Sequence, residues 1–100
     1  AMILILSTFS NKKEAHDIGK MLLNEKLIAC YNIAPVESAY WWKDKIEETN
    51  EILMIMKTNK SFEQIEEFLI RYHSYETPEV IALEPKSVNK KYLKWVNTAC

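Results

Sequence analysis

The spacing of apolar positions changes several times along this chain, and each change marks an element. Met2 to Thr8 is a short, β-branched apolar run that ends in polar residues, the pattern of a buried strand. Ser10 or Asn11 follows as a helix cap, with Glu14 three residues past Asn11 in capping-box position. Ala15, Ile18, Leu22 and Leu23 then recur at helical spacing, while Lys13, Asp17, Lys20 and Glu25 take the other faces. This helix runs out around Asn24 to Lys26. From Ile28 to Trp42 the texture turns to β, with Pro35 inside the stretch predicting a bulge or a sheet edge, because proline cannot donate to a ladder.

Lys43 to Lys45 is the turn, with Asp44 at its tip, and Ile46 to Thr58 is a second long β stretch. Its apolar end, Ile52 to Met56, reads as a central strand buried on both faces. Asn59 or Ser61 opens a second helix whose stripe is Phe62, Ile65, Phe68, Leu69 and Tyr72. His73 to Pro78 is a loop and Glu79 to Glu84 a short strand. Pro85 stops that strand, Ser87 caps, and Val88 to Asn97 forms a last helix. The order β-α-β-β-α-β plus a C-terminal helix predicts an α+β, ferredoxin-like sandwich with a long central β-hairpin. Right-handed crossovers put both long helices on one face of a four-stranded antiparallel sheet. One domain covers residues 2–100, and Ala1, ahead of Met2, reads as a cloning remnant.

The hairpin is too long for such a domain. Strands of about 13 to 15 residues at ~3.3 Å each reach on the order of 45 Å, whereas a compact chain of this length is roughly 33 Å across. The hairpin must bend sharply at Pro35 or project. A projecting arm carrying Tyr40, Trp41 and Trp42 exposes apolar area and open edges, which favours self-association through those three residues. Adjacent strand residues face opposite sides, so Trp41 and Trp42 cannot share one core.

Composition narrows the function classes. In 100 residues the net charge is -1, which argues against a nucleic-acid or anionic-membrane binder. No apolar run approaches the roughly 20 residues of a membrane span, and two cysteines suit a reducing, cytoplasmic setting. The single glycine, Gly19, excludes phosphate-cradling loops and a nucleophile elbow. It also leaves turns with positive φ to asparagine or aspartate.

Candidate chemistry is sparse. His73, directly after the second helix, either meets the negative end of the helix dipole or joins Glu76 or Glu79 as a ligand for a divalent transition metal. Spacing alone favours the structural role. Cys30 fits a small buried apolar position better than a thiolate. Glu47, Glu48 and Glu51 read as a solvated acidic face. The stretch Ile52 to Lys57 lacks the aromatics of an RNA-recognition sheet. The Ser7 to Asn11 loop has no arginine to hold a phosphate, and two cysteines cannot carry an iron–sulfur cluster. With His16 and His73 alone, acid–base machinery is thin, and the chain reads as a binding protein rather than an enzyme.

Five blocks resemble a known family. They are Ala29-Cys30-Tyr31-Asn32-Ile33, Val36 to Lys43, Lys57-Thr58, His73 to Glu79, and Asn89 with Tyr92-Leu93 and Trp95. Together, in order and at family spacing, they resemble the CutA divalent-cation-tolerance family from Met2 to about Trp95. The resemblance implies a ferredoxin-like protomer in a tight homotrimer, cytoplasmic in prokaryotes, with a role linked to copper and other divalent ions. It carries metal binding onto His73 and Glu79. The expectation is therefore a trimer that binds Cu2+ weakly at a subunit cleft through His73, Glu79 and Cys30. A P-II-like small-ligand sensing module and a trimeric assembly scaffold are the alternatives. Two positions depart from the family pattern. Ser74 stands where proline usual to the family would stiffen the loop behind His73, and Asp44 replaces a frequent glycine in the hairpin turn.

Overall fold

The computed structural model describes residues 1–100. Its elements are β1 (Ile3–Phe9), α1 (Lys12–Asn24), β2 (Cys30–Trp42), β3 (Lys45–Thr58), α2 (Phe62–Tyr72), β4 (Ile81–Leu83) and α3 (Lys90–Ala99). The sheet order is β2-β3-β1-β4 with every neighbouring pair antiparallel, so the expected ferredoxin-like α+β sandwich is what forms.

The core lies between one sheet face and the two long helices. Ile5 and Phe9 from β1 and Ile52, Met54 and Met56 from β3 alternate onto that face. Ala15, Ile18 and Leu22 of α1 and Ile65, Phe68 and Leu69 of α2 meet them. The opposite face is covered at one end only, where Val96 of α3 packs with Met2 and Ala29 and is flanked by Leu4, Tyr92 and Leu93. Beyond α3 this second face carries Leu6, Leu53 and Ile55, with Ile81 and Leu83 exposed on β4.

The helix starts follow their caps. Asn11 accepts from the Glu14 N–H at 2.9 Å, but the reciprocal half of a capping box is missing because the Glu14 carboxylate turns to other partners. In α2 Ser61, rather than Asn59, is the cap, and its box with Gln64 closes in both directions. In α3 the expected Ser87 cap is not used. The helix begins after Asn89, which makes no side-chain cap bond, because Val88 is drawn into the apolar cluster around Val96. Strand β4 is shorter than the expected span of 79–84. It pairs with β1 only at Leu4 to Leu6, and Val80 packs into the main core instead.

Pro35 produces no bulge. It sits opposite Ile52 in an unbroken register from Cys30↔Lys57 to Trp42↔Lys45, and its missing donor is tolerated because β2 is an edge strand. The hairpin projects, and the molecule measures 45 × 27 × 22 Å. Positive φ falls on Lys26, Lys43 and Asp44, so lysine takes two of the three positions expected for asparagine or aspartate. Lys43 and Asp44 form the two-residue hairpin loop, a turn that needs left-handed backbone at both residues. Lys26 ends α1: its N–H reaches Leu23 O at 3.0 Å and Leu27 N–H reaches Leu22 O at 2.9 Å, the Schellman pattern.

A candidate cation cleft beneath the hairpin arm

His73 is held from every side. It is the residue that ends α2, and its N–H caps Leu69 O at 2.8 Å. The ring stacks on Phe9, with centroids 4.5 Å apart and planes 9° from parallel. Nε2 donates to Thr8 O at 2.8 Å, and Nδ1 accepts the Tyr75 N–H at 3.1 Å. Both nitrogens are thus engaged, and the residue is 9% exposed. The imidazole ties α2 and the following loop to β1 and does not line the adjacent cleft.

Ser74 does not loosen this loop. Its N–H, which a proline would lack, donates to Glu14 Oε2 at 2.9 Å. Ser10 Oγ donates to the other Glu14 oxygen at 3.4 Å. Burial pushes the Glu14 carboxyl up, but the bonds from Ser74, with help from His73 and Ser10, outweigh it and hold the group below the usual carboxylate range.

Next along the loop, Tyr75 donates its hydroxyl to Glu51 Oε2 at 2.7 Å. Burial, followed by this bond and the Glu51 charge, pushes the Tyr75 hydroxyl well above its ordinary range, so it remains a donor at neutral pH. Glu51 itself is only 8% exposed, whereas Glu47 and Glu48 are exposed. The reading of all three as one solvated face is corrected here. Register separates them: Glu51 lies opposite Val36, at the point where the arm joins the globule, and the other two lie farther out. The polar-to-apolar break at Glu51–Ile52 was the signal in the sequence.

The arm and this loop enclose a cleft of about 740 Å³. Thr8, Glu37, Ser38, Tyr40, Trp42, Glu51, Tyr75, Glu76 and Glu79 are among its lining residues. None of the four glutamates has a lysine, arginine or histidine within 4.0 Å; the close acid–base contacts of the protein are Lys13–Asp17 and His73–Glu14.

The other expected ligand lies elsewhere. Cys30 pairs with Lys57, whereas Phe9, on which His73 stacks, pairs with Ile52. Five residues of β3 place the two sites roughly 17 Å apart along the sheet. Around Cys30 stand Lys57, which also bonds Asn32, and Tyr92. Within one protomer no three His, Cys, Asp or Glu side chains converge where a metal ion could sit. His73, Glu79 and Cys30 are therefore not assembled into a single-chain site. Tyr40, Trp41 and Trp42 are all exposed on the arm, Trp41 at 72%, and Ile46, directly opposite Trp41, at 62%.

An antiparallel sheet in the order β2-β3-β1-β4 with an overlong hairpin beside an acidic, aromatic cleft places the chain among α+β proteins of ferredoxin-like fold. Residues 3–99 match the family described as CutA1 divalent ion tolerance protein. The chain is 41% identical over 96 residues to the divalent-cation tolerance protein CutA of Thermotoga maritima, spanning 95% of each. It is 38% identical over 96 residues to that of Pyrococcus horikoshii, spanning 95% of this chain and 94% of the relative. A solved structure from Archaeoglobus fulgidus, described as a periplasmic divalent cation tolerance protein CutA, superposes with a TM-score of 0.95 at 36% identity. That match covers 99% of this chain and 98% of the other. This chain belongs to the CutA1 divalent ion tolerance family.

Proposed function

We propose that this protein is a homotrimeric divalent-cation-binding protein that takes up Cu2+ weakly, and acts by binding rather than catalysis. The observation that carries the reading is the cleft itself: Glu37, Glu51, Glu76 and Glu79 are spread along its lining, without three of them converging on one point, and none has a basic partner. Such a concentration of negative charge attracts cations, and copper heads the divalent series for nitrogen and oxygen ligands. Glu79 is the exposed ligand. His73 joins only by giving up the Tyr75 N–H or the Thr8 carbonyl, which makes binding weak. Cys30 contributes only from a second copy of the chain. The family's link to divalent ion tolerance supports the same reading.

Assembly is supported by the arm and by the half-covered sheet face. Trp41 and Ile46 on the arm and Ile81 and Leu83 on β4 are large apolar side chains left exposed, the kind of surface that another chain covers. We place the protein in the cytoplasm on the strength of its two free cysteines. Sedimentation of wild type is expected to give a trimer, and Trp41→Lys with Ile46→Lys to give monomers. Isothermal titration with Cu2+ is expected to show saturable binding, weakened about tenfold or more by Glu79→Gln and by His73→Ala. Equal copper binding by all three proteins refutes the site.

The cleft also supports the second reading, small-ligand sensing of the P-II kind, because its volume is that of a pocket for an organic molecule rather than an ion.

A further inference from the structure

We propose that the inner end of the cleft, around Glu51, is a receptor for an organic ammonium ion. The inference rests on the cleft of the proposed function, and its test is kept apart from metal uptake.

Glu51 is the starting point. A carboxylate this far from water is ordinarily matched by a cation, because an unpaired charge in a poorly solvated place is costly. Here the only partner is neutral, the Tyr75 hydroxyl on Oε2. The second oxygen has no partner, yet it is not sealed in: the one sealed, unpartnered polar side-chain atom of the protein is Ser7 Oγ. As Glu51 lines the cleft, that free oxygen opens into it.

The surroundings select the kind of cation. No three His, Cys, Asp or Glu groups converge, so a bare metal ion finds no ligand set at this end. The space of about 740 Å³ suits a small molecule. Strand alternation from the Val36↔Glu51 pair puts Ser38, Tyr40 and Trp42 on the face that Glu51 occupies. Tyr40, Trp42 and Tyr75 thus supply aromatic walls, and the face of an aromatic ring attracts a cation. Trp42 already shows this, since the Lys43 ammonium stands 5.7 Å from its ring centroid. Tyr40 and Tyr75 remain for a ligand whose charge meets the free Glu51 oxygen and whose alkyl groups lie on the rings. Trp41, which also borders the cleft, and its cross-strand partner Ile46 lie on the other side of the strand pair.

The probe is choline, with 3,3-dimethylbutan-1-ol as its uncharged isostere, titrated in EDTA so that metal plays no part and followed by tryptophan fluorescence and calorimetry. Wild type is expected to bind choline saturably with Kd at or below about 1 mM and to ignore the isostere. Glu51→Gln, which keeps the shape, is expected to weaken choline about tenfold or more, and Tyr40→Leu to weaken it with the carboxylate intact. If Glu51→Gln fails to fold, Tyr40→Leu and the isostere decide. Equal binding of choline and isostere overturns the proposal, as does unchanged binding by the variants or no saturable binding at all. Copper titration of Glu79→Gln reports separately on the metal reading.

Discussion

The main-chain N–H of Ser74 donates to the Glu14 carboxylate at 2.9 Å, joining the loop after α2 to the first turn of α1. A proline at this position could not make that bond. The residue before it is compatible with a proline, because His73 already has φ -70° and ψ 141°, the extended backbone that a residue before proline adopts. Ser74→Pro is therefore expected to cost about 1–2 kcal/mol for the charge-assisted bond, less ~0.5 kcal/mol returned by the stiffer unfolded chain. In a Glu14→Gln background the same change is expected to cost less. Denaturant unfolding of the four proteins checks this, and strictly additive effects would show that the two residues are not coupled.

The same carboxylate sets an acid limit. Its pKa in the folded protein lies below the unfolded value, so the native state is favoured by ionised Glu14. That stability is fully present above the unfolded pKa of about 4.3 and is lost as pH falls through the lower folded value. The stability gap between wild type and Glu14→Gln is expected to be constant from about pH 5 to 7 and to shrink on acidification. A gap that widens toward low pH contradicts the assignment.

Lys26 closes the Schellman motif of α1 at φ 56°, where a Cβ is crowded. Lys26→Gly is expected to stabilise the protein by about 0.5–1 kcal/mol, and Lys26→Ala, which keeps the Cβ, to give no gain. Thermal unfolding of the two variants distinguishes relief of backbone strain from loss of the lysine charge.

Gly19 is needed for contact rather than conformation. A Cβ there would stand 2.7–2.8 Å from the Tyr31 ring, and that ring is pinned by a 2.7 Å bond between its hydroxyl and His16 Nδ1. Overpacking costs about 1–3 kcal/mol, against a helix-propensity gain of ~1 kcal/mol. Gly19→Ala is expected to destabilise wild type and to stabilise Tyr31→Ala. The reversal of sign between the two backgrounds, measured by denaturant unfolding, is the test.

Ser7 Oγ lies in the core without a hydrogen-bond partner. A buried hydroxyl with no partner costs ~1–3 kcal/mol, so Ser7→Ala is expected to raise the unfolding free energy by about 1 kcal/mol. A loss of stability would mean that a buried water satisfies the hydroxyl.

Local rules made most of the architecture legible. The helical stripe from Phe62 to Tyr72 and the Asn11 and Ser61 caps follow from spacing over a few residues and form where the pattern puts them, whereas Ile52–Met56, expected to be buried on both faces, is a central strand buried on one face only, with Leu53 and Ile55 half-buried on the side that α3 leaves open. Counting residues in the two middle strands was enough to show that the arm outruns the globule, because rise per residue is nearly constant. Boundaries failed where a distant contact outbid a local preference. Val88 joined the Val96 cluster instead of helix α3, and β4 pairs only with Leu4 to Leu6 of β1 while Val80 turns into the main core.

The candidate site shows the same division more sharply. Residue types marked His73, Glu79 and Cys30 as interesting, but hydrogen-bond saturation of His73 and the separation of Cys30 along the sheet depend on which strands lie side by side. Glu51 looked like its exposed neighbours Glu47 and Glu48 until register set it opposite Val36 and a tyrosine from a loop 24 residues away closed over it. One-dimensional periodicity reports which way a side chain faces within its own element. What faces it from across the fold is decided only when the elements pack, and the chemistry of this cleft resides there.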